Sequence, residues 1–186
     1  MHVPPQARGF VLFASDQAWM RMNRRQVDLS EALNESGLGT LLFDLVDPGD
    51  DVDGDLEILV ERLLGASEWI SERWGVEGLP LGYVGSGLGS AAALVAAAAL
   101  GPELRAVAIR GGRPDLAGAG LAKVEAATFF AFAGDDPVEA EAAITAAARV
   151  RGPQRIRNYP SQEGPAGRWG ATPAICTWMD WHLSHS

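Results

Sequence analysis

Cysteine, histidine and lysine are all scarce in this sequence of 186 residues. A single cysteine, Cys176, excludes an internal disulfide and a cysteine-based metal site. The three histidines, His2, His182 and His185, lie at the two ends of the chain. No His, Cys and carboxylate cluster therefore has the spacing of a metal site. We expect neither a metal nor another cofactor.

Positive charge is also in short supply. Lys123 is the only lysine, and the formal net charge at pH 7 is −9. This balance argues against nucleic acid and against an anionic membrane as partners. The longest apolar run, residues 91–100, is too short to span a bilayer, and the first residues lack the basic and apolar pattern of a signal peptide. We therefore expect a cytoplasmic protein.

Apolar runs of strand length alternate with helical patterns along the chain. A hydrophobic content of 47% with 21% charged residues is typical of a globular protein, and the length fits a single domain, residues 1–186. The patterns predict strands at 9–14, 40–44, 81–85, 106–110, 128–133 and 154–159, and helices at 25–36, 56–74, 88–100, 138–150 and from about 173. This order predicts a doubly wound, mostly parallel six-stranded sheet with helices on both faces. In such α/β folds, ligands bind at the carboxyl ends of the strands.

Residues 81–90 lead from an apolar strand into an alanine-rich helix through a glycine-rich turn. They read Leu-Gly-Tyr-Val-Gly-Ser-Gly-Leu-Gly-Ser, which has the small-x-nucleophile-x-small pattern of a nucleophile elbow. Gly85 and Gly89 are the small residues that this turn needs, and Gly87 stands between them at the position of the nucleophile. Framing the motif on Ser86 or Ser90 would place larger residues at the crowded positions. The side chain of the nucleophile is therefore missing.

With these residues, the chain resembles the dienelactone hydrolase-like branch of the α/β-hydrolases over nearly its whole length. The matching segments are residues 8–14, 33–45, 78–82, 81–90, 110–116 and 134–138. The resemblance implies a nucleophile, an acid and a base beside an oxyanion hole. It places the nucleophile at Gly87, the acid at Asp135 or Asp136 (the strand-end position favours Asp136), and the base at Gly164 instead of a histidine.

The first loop of the family, which supplies the oxyanion hole, is altered as well. It is usually rich in histidine and glycine, but residues 15–20 here read Ser-Asp-Gln-Ala-Trp-Met. Asp16 would repel a developing negative charge. Ordinary serine hydrolysis through Ser86 or Ser90 stays open as an alternative. Both residues also have simple structural interpretations: Ser86 as a small turn residue, and Ser90 as a hydroxyl that satisfies backbone N–H groups at the helix start.

Our leading hypothesis is a degenerate hydrolase that retains a small-molecule pocket. With no side chain over Gly87, the start of the next helix could receive a carboxylate, phosphate or carbonyl oxygen. The pocket would bind a carbonyl or ester-like compound, or isomerise, cyclise or eliminate it, with Asp16 and Asp136 carrying protons if burial raises their pKa. The candidate ligand-binding residues are Ser15, Gln17, Trp19, Ser86, Gly87, Leu88 and Arg110.

Two further classes of function stay open. Residues 85–90 half-match the dinucleotide fingerprint, and Arg110 could suit a 2′-phosphate, which would indicate nucleotide or phosphate binding. The last segment carries Trp169, Trp178 and Trp181, of which the last two lie one helical turn apart. Their shared face either seals the core or meets a second subunit in a homodimer.

Overall fold

The computed structural model describes residues 1–17, 22–46, 55–73, 76–160 and 170–185. Within them, six strands form one sheet in the order β2-β1-β3-β4-β5-β6, and all neighbouring pairs are parallel. The strands are β1 (Phe10–Ser15), β2 (Gly39–Leu41), β3 (Leu81–Ser86), β4 (Leu104–Arg110), β5 (Ala127–Ala133) and β6 (Gln154–Tyr159). The helices are α1 (Arg24–Glu35), α2 (Leu56–Ser71), α3 (Gly89–Leu100), α4 (Pro137–Ala147) and α5 (Thr172–Ser184). The doubly wound α/β sheet predicted from the sequence is confirmed.

Helices cover the sheet on both faces, which explains why its central strands are apolar along their whole length. Helices α2, α3 and α4 contribute to one core cluster, and α1 and α5 contribute to the other. The small alanine side chains of α3 are almost all buried, so this helix lies close against the sheet. It is also only 12 residues long. Among the described residues, no helix has the length and hydropathy needed to cross a bilayer.

Some boundaries differ from the sequence-based prediction. The strand predicted at 40–44 is shorter in the structure, where β2 covers only Gly39–Leu41. On one side these three residues pair with β1, and on the other side the only pairing among the described residues is an isolated bridge between Thr40 and His2. The helix predicted to reach Trp74 ends at Ser71, and Trp74 itself lies outside the described residues. Pro114–Lys123, for which the sequence predicted no element, forms 3-10 turns on either side of Gly118.

Candidate active site

The carboxyl ends of three adjacent strands bring polar residues into one row. Ser15 ends β1, Ser86 ends β3 and Arg110 ends β4; Ser15 is in register with Ser86, and Ser86 with Arg110. Parallel strands present all their carboxyl ends at the same edge of the sheet. The turn that contains Gly87 follows Ser86 directly, so this row lies beside the predicted elbow.

The elbow is as crowded as its sequence pattern requires. A Cβ atom on Gly85 would lie 2.8 Å from the Cα of Ser90 and 2.9 Å from the carbonyl oxygen of Gly89. A Cβ atom on Gly89 would lie 2.6 Å from the Cα of Ser15. These distances are shorter than carbon and oxygen atoms tolerate, so both positions require glycine.

The carboxylate of Asp16 lies over Gly87. Gly87 has a φ of +60°, and a Cβ atom built on it would overlap Oδ1 of Asp16 and lie 3.0 Å from Cγ. The space into which a nucleophile's side chain would project is therefore filled by a carboxylate from the loop after β1. The expectation that nothing covers this turn is corrected: the chain supplies its own anionic group.

The opposite side of the elbow is held by the turn after β4. The carbonyl oxygen of Gly87 accepts hydrogen bonds from the backbone N–H of Arg113 (3.2 Å) and from Oγ of Ser90 (2.7 Å). A Cβ atom on Gly112 would overlap the peptide of Gly87. Ser90 is fully buried and donates to this carbonyl, so its expected role in satisfying backbone N–H groups is wrong.

A chain of hydrogen bonds crosses the row of strand ends. Nη1 of Arg110 donates to Oε1 of Gln26 (2.8 Å), and Nε2 of Gln26 donates to Oγ of Ser86 (3.0 Å). Burial, and secondly the charge of Arg25, lowers the pKa of Arg110 to about 10, so the guanidinium is still charged at neutral pH. Sequence reasoning missed Gln26. Its signal was a polar residue three positions before Leu29 on the face of α1 that becomes buried.

A cleft of about 630 Å³ opens beside Arg110; we call it the strand-end cleft. Its charged lining residues are Arg25, Arg110, Asp135, Asp136 and Glu139. Oε1 of Glu139 accepts a hydrogen bond from the backbone N–H of Gly112 (2.8 Å), which ties the cleft to the turn beneath the elbow. The cleft therefore contains both positively and negatively charged side chains, and some of its polar groups are already hydrogen-bonded to the protein.

The predicted acid, Asp136, is the N-cap residue directly before helix α4. Its Oδ1 accepts hydrogen bonds from the backbone N–H groups of Val138 (2.9 Å) and Glu139 (3.1 Å), which is an N-cap arrangement. Asp136 and Asp16 are both exposed. We expected these aspartates to carry protons if they were buried, and neither is buried. A proton-carrying role for either one therefore depends on where its carboxyl group lies.

The other predicted ligand-binding residues have mixed surroundings. Ser15 is buried, and its Oγ accepts a hydrogen bond from the backbone N–H of Gln17 (3.2 Å). Leu88 is half-buried and packs against the core, and Trp19 lies outside the described residues. The structure thus groups Asp16, Ser86, Gly87 and Arg110 around the elbow, whereas Ser15 and Leu88 mainly support it.

The histidines have other neighbours. His2 bridges to Thr40 at the edge of the sheet, and the ring of His182 lies 4.4 Å from the ring of Trp178. His185 stacks on Trp181. None of these contacts involves Ser86 or Ser90, and the predicted base position, Gly164, lies outside the described residues. Within the described part of the chain, no group of three His, Cys, Asp or Glu residues is arranged to hold a metal ion.

Solved structures of hydrolases resemble the chain closely. A dienelactone hydrolase from Anabaena variabilis superposes with a TM-score of 0.90 at 31% sequence identity, covering 97% of this chain and 89% of that protein. Est1E from Butyrivibrio proteoclasticus superposes with a TM-score of 0.76 at 13% identity, covering 97% of this chain and 90% of that one, and shares the fold. No family model matches the chain.

Two curated proteins, from two strains of Mycobacterium tuberculosis, also match. Each carries the provisional name phosphoribosyl transferase and is 36% identical over 97% of this chain. The match covers only 43% of each relative, so this chain spans less than half of their length.

Proposed function

The chain belongs to the dienelactone hydrolase-like branch of the α/β-hydrolases, and from that membership we propose a function that departs from hydrolysis. The strand-end cleft and the adjoining elbow bind a small carbonyl compound, and the carboxyl group of Asp16 transfers a proton on it. One observation carries the proposal: the Asp16 carboxylate lies over Gly87, where hydrolases of this fold hold their nucleophile.

The two serines near the elbow are poorly placed to attack a carbonyl carbon. A serine nucleophile needs a base that accepts its proton. Oγ of Ser86 faces the amide N–H of Gln26, which is a donor, and Oγ of Ser90 is buried and donates to the carbonyl of Gly87. In addition, the negative charge of Asp16 opposes the oxyanion that acyl transfer must form. These arrangements favour chemistry without an acyl-enzyme.

Arg110 supplies the positive group that proton transfer next to a carbonyl requires. Neighbouring strands lie roughly 4.8 Å apart, so the ends of β1 and β4 are separated by about 10 Å, which a small molecule can bridge. When Asp16 takes a proton from the carbon beside the carbonyl, the C–H electron pair moves toward the oxygen, which the guanidinium stabilises. Return of the proton to another carbon completes an isomerisation.

The test separates proton exchange from ring opening. A five-membered unsaturated lactone is incubated with the protein in D₂O, and proton NMR follows C–H exchange and hydrolysis independently. We expect exchange without ring opening, reduced about a hundredfold or more in Asp16→Asn, because a positioned general base contributes on the order of 10²–10⁴. Asp28→Asn, a carboxyl on α1 that pairs with Arg24, is the control and retains the exchange.

Two other outcomes would contradict the proposed proton transfer. Ring opening, accompanied by a stoichiometric fluorophosphonate adduct on Ser86 or Ser90, would restore the serine hydrolase. The absence of both exchange and ring opening would remove the proton-transfer role and leave binding alone.

Phosphate binding is a second candidate, favoured because Arg25 and Arg110 line the same cleft. The name of the curated relatives refers to proteins more than twice as long, so we transfer only the idea of a phosphorylated ligand. Thermal unfolding with ribose 5-phosphate, NADP⁺ and unmodified ribose tests it. Stabilisation by the phosphorylated compounds alone, lost in Arg110→Gln, would support this candidate, and no stabilisation would eliminate it.

A further inference from the structure

We propose that a second cleft, between β6 and α5, binds a small planar aromatic molecule that carries an anionic group. We call it the aromatic groove; its volume is about 560 Å³, within the size range of small-ligand pockets. The lining residues that matter here are Phe129, Arg155, Arg157, Trp178, Trp181 and His182. Within the described part of the chain, it shares no lining residue with the strand-end cleft.

Trp178 forms a fixed aromatic wall in this groove. Its indole Nε1 donates to the backbone carbonyl of Ala127 (3.2 Å), which sets the orientation of the ring. The ring centroid lies 5.7 Å from that of Phe129 and 4.4 Å from that of His182. Because the flat surface is already oriented, stacking a ligand on it costs little ordering of the side chain.

Two arginines provide the charge. Arg155 and Arg157 are two residues apart on β6, so their side chains leave the same face of the strand, and both are exposed. The guanidinium of Arg155 lies 5.9 Å from the centre of the Trp178 ring. Among the residues that the structure describes, none that lines the groove carries a carboxyl group. In a chain with a net charge of −9, this combination favours an anion next to an aromatic ring.

Trp181 lies at the rim of the groove and is 61% exposed. Because burying a tryptophan is strongly favourable, a ligand that covers this ring gains binding energy. The groove lies on the sheet face that α5 covers, and one end of it reaches Tyr159, which is in register with Ala133 of the strand-end cleft. Variants of each site therefore have to distinguish a ligand in the groove from one at the elbow.

Isothermal titration calorimetry with 2-naphthoate tests the proposal, with 2-naphthamide and cyclohexanecarboxylate as matched probes. The amide keeps the rings without the charge, and the cyclohexane acid keeps the charge without the rings. We expect 2-naphthoate to bind at least about tenfold more tightly than either, since each probe loses one class of contact. The double variant Arg155→Gln/Arg157→Gln and the single variant Trp181→Ala should each weaken naphthoate binding to a similar degree.

Arg149→Gln removes an exposed arginine outside the groove, and Asp16→Asn alters the proposed catalytic group. Both should leave naphthoate binding unchanged, so this proposal and the proposed function can fail separately. Equal binding of acid and amide, unaltered binding in the arginine or tryptophan variants, or no binding in the millimolar range would overturn it. So would a concentration-dependent dimer that Trp181→Ala abolishes, because the groove would then be a subunit interface.

Discussion

The strand-end cleft and the aromatic groove border the same sheet, but their polar groups are used differently. Around the cleft, side chains already bond to the protein: Arg110 to Gln26, Gln26 to Ser86, and Glu139 to the turn at Gly112. In the groove, two arginines are exposed beside a tryptophan that is itself 61% exposed. The strand-end cleft, which lies where the family has its active site, is therefore more heavily hydrogen-bonded to the rest of the protein than the aromatic groove. We expect substitutions to change the free energy of unfolding more around the cleft than in the groove.

The largest expected effect tests how tightly the elbow is packed. In Gly112→Ala, the new methyl group overlaps the peptide of Gly87, and the φ of +78° disfavours alanine. The left-handed conformation costs about 1–2 kcal/mol and the overpacking about 1–3 kcal/mol, so we expect a loss of about 3 kcal/mol in the free energy of unfolding. Urea denaturation measures it.

Gly78→Ala is the matched control, because its φ is +74° and a Cβ atom there meets nothing within 4 Å. It should show only the conformational cost, about 1–2 kcal/mol. Equal losses in the two variants would mean that the turn at Gly112 is not closely packed on the elbow.

A smaller loss is expected when the polar chain is broken. Gln26→Leu removes the amide that bonds to both Arg110 and Ser86 in a buried position. Buried polar groups that lose a partner cost about 1–3 kcal/mol, so we expect about 2 kcal/mol by urea denaturation. The exposed Gln17→Leu should change stability by less than about 0.5 kcal/mol. Similar values for both variants would show that the chain contributes nothing to the rigidity of the cleft.

A double-mutant cycle tests whether Asp16 occupies the space over Gly87. Gly87→Ala carries the same conformational cost in any background, but its methyl group meets the Asp16 carboxylate only when Asp16 is present. Gly87→Ala should therefore be less destabilising in an Asp16→Ala background, with a coupling of about 1 kcal/mol, since contacting residues couple by about 0.5–3 kcal/mol. No coupling would place the carboxylate elsewhere and weaken the proposed function.

The fold and the position of the elbow could be predicted from sequence because both depend on local patterns. Apolar strand-length runs alternate with helical spacing, and Gly85, Gly87 and Gly89 mark a turn in which the strand and the helix nearly touch. The length of β2 was predicted less accurately, because it depends on how many residues of β1 pair with it in the sheet.

The contents of the site depend on contacts between distant parts of the chain, which the sequence does not encode locally. Asp16 and Gly87 are far apart in sequence, as are Gln26 and Arg110, and only the sheet order brings each pair together. The sequence therefore predicted a vacant elbow, and made the proton-carrying role of Asp16 conditional on its burial. In the structure the elbow is covered by the carboxylate of Asp16, which is exposed.

In the aromatic groove, a rim substitution should leave the fold almost unaffected. Trp181→Ala removes a side chain that is 61% exposed, so we expect a change of less than about 0.5 kcal/mol in the free energy of unfolding. Trp178→Ala, which loses the hydrogen bond to Ala127 and the contact with Phe129, should be clearly more destabilising in the same urea experiment. A large loss in Trp181→Ala would mean that the rim is part of the core.

The smallest effect is expected from the pH dependence of His182. Burial lowers the pKa of its imidazole below the value of about 6.5 in an unfolded chain, so folding favours the neutral ring. The unfolded chain then binds more protons, and the stabilisation is complete above pH 6.5 and declines as the pH falls through the lower pKa of the folded state. Between pH 7.5 and pH 5.5, the wild type should therefore lose slightly more thermal stability than His182→Gln. If His182→Gln and the wild type lose stability in parallel, the imidazole is as well solvated as in the unfolded chain, and the groove is more open than its aromatic packing indicates.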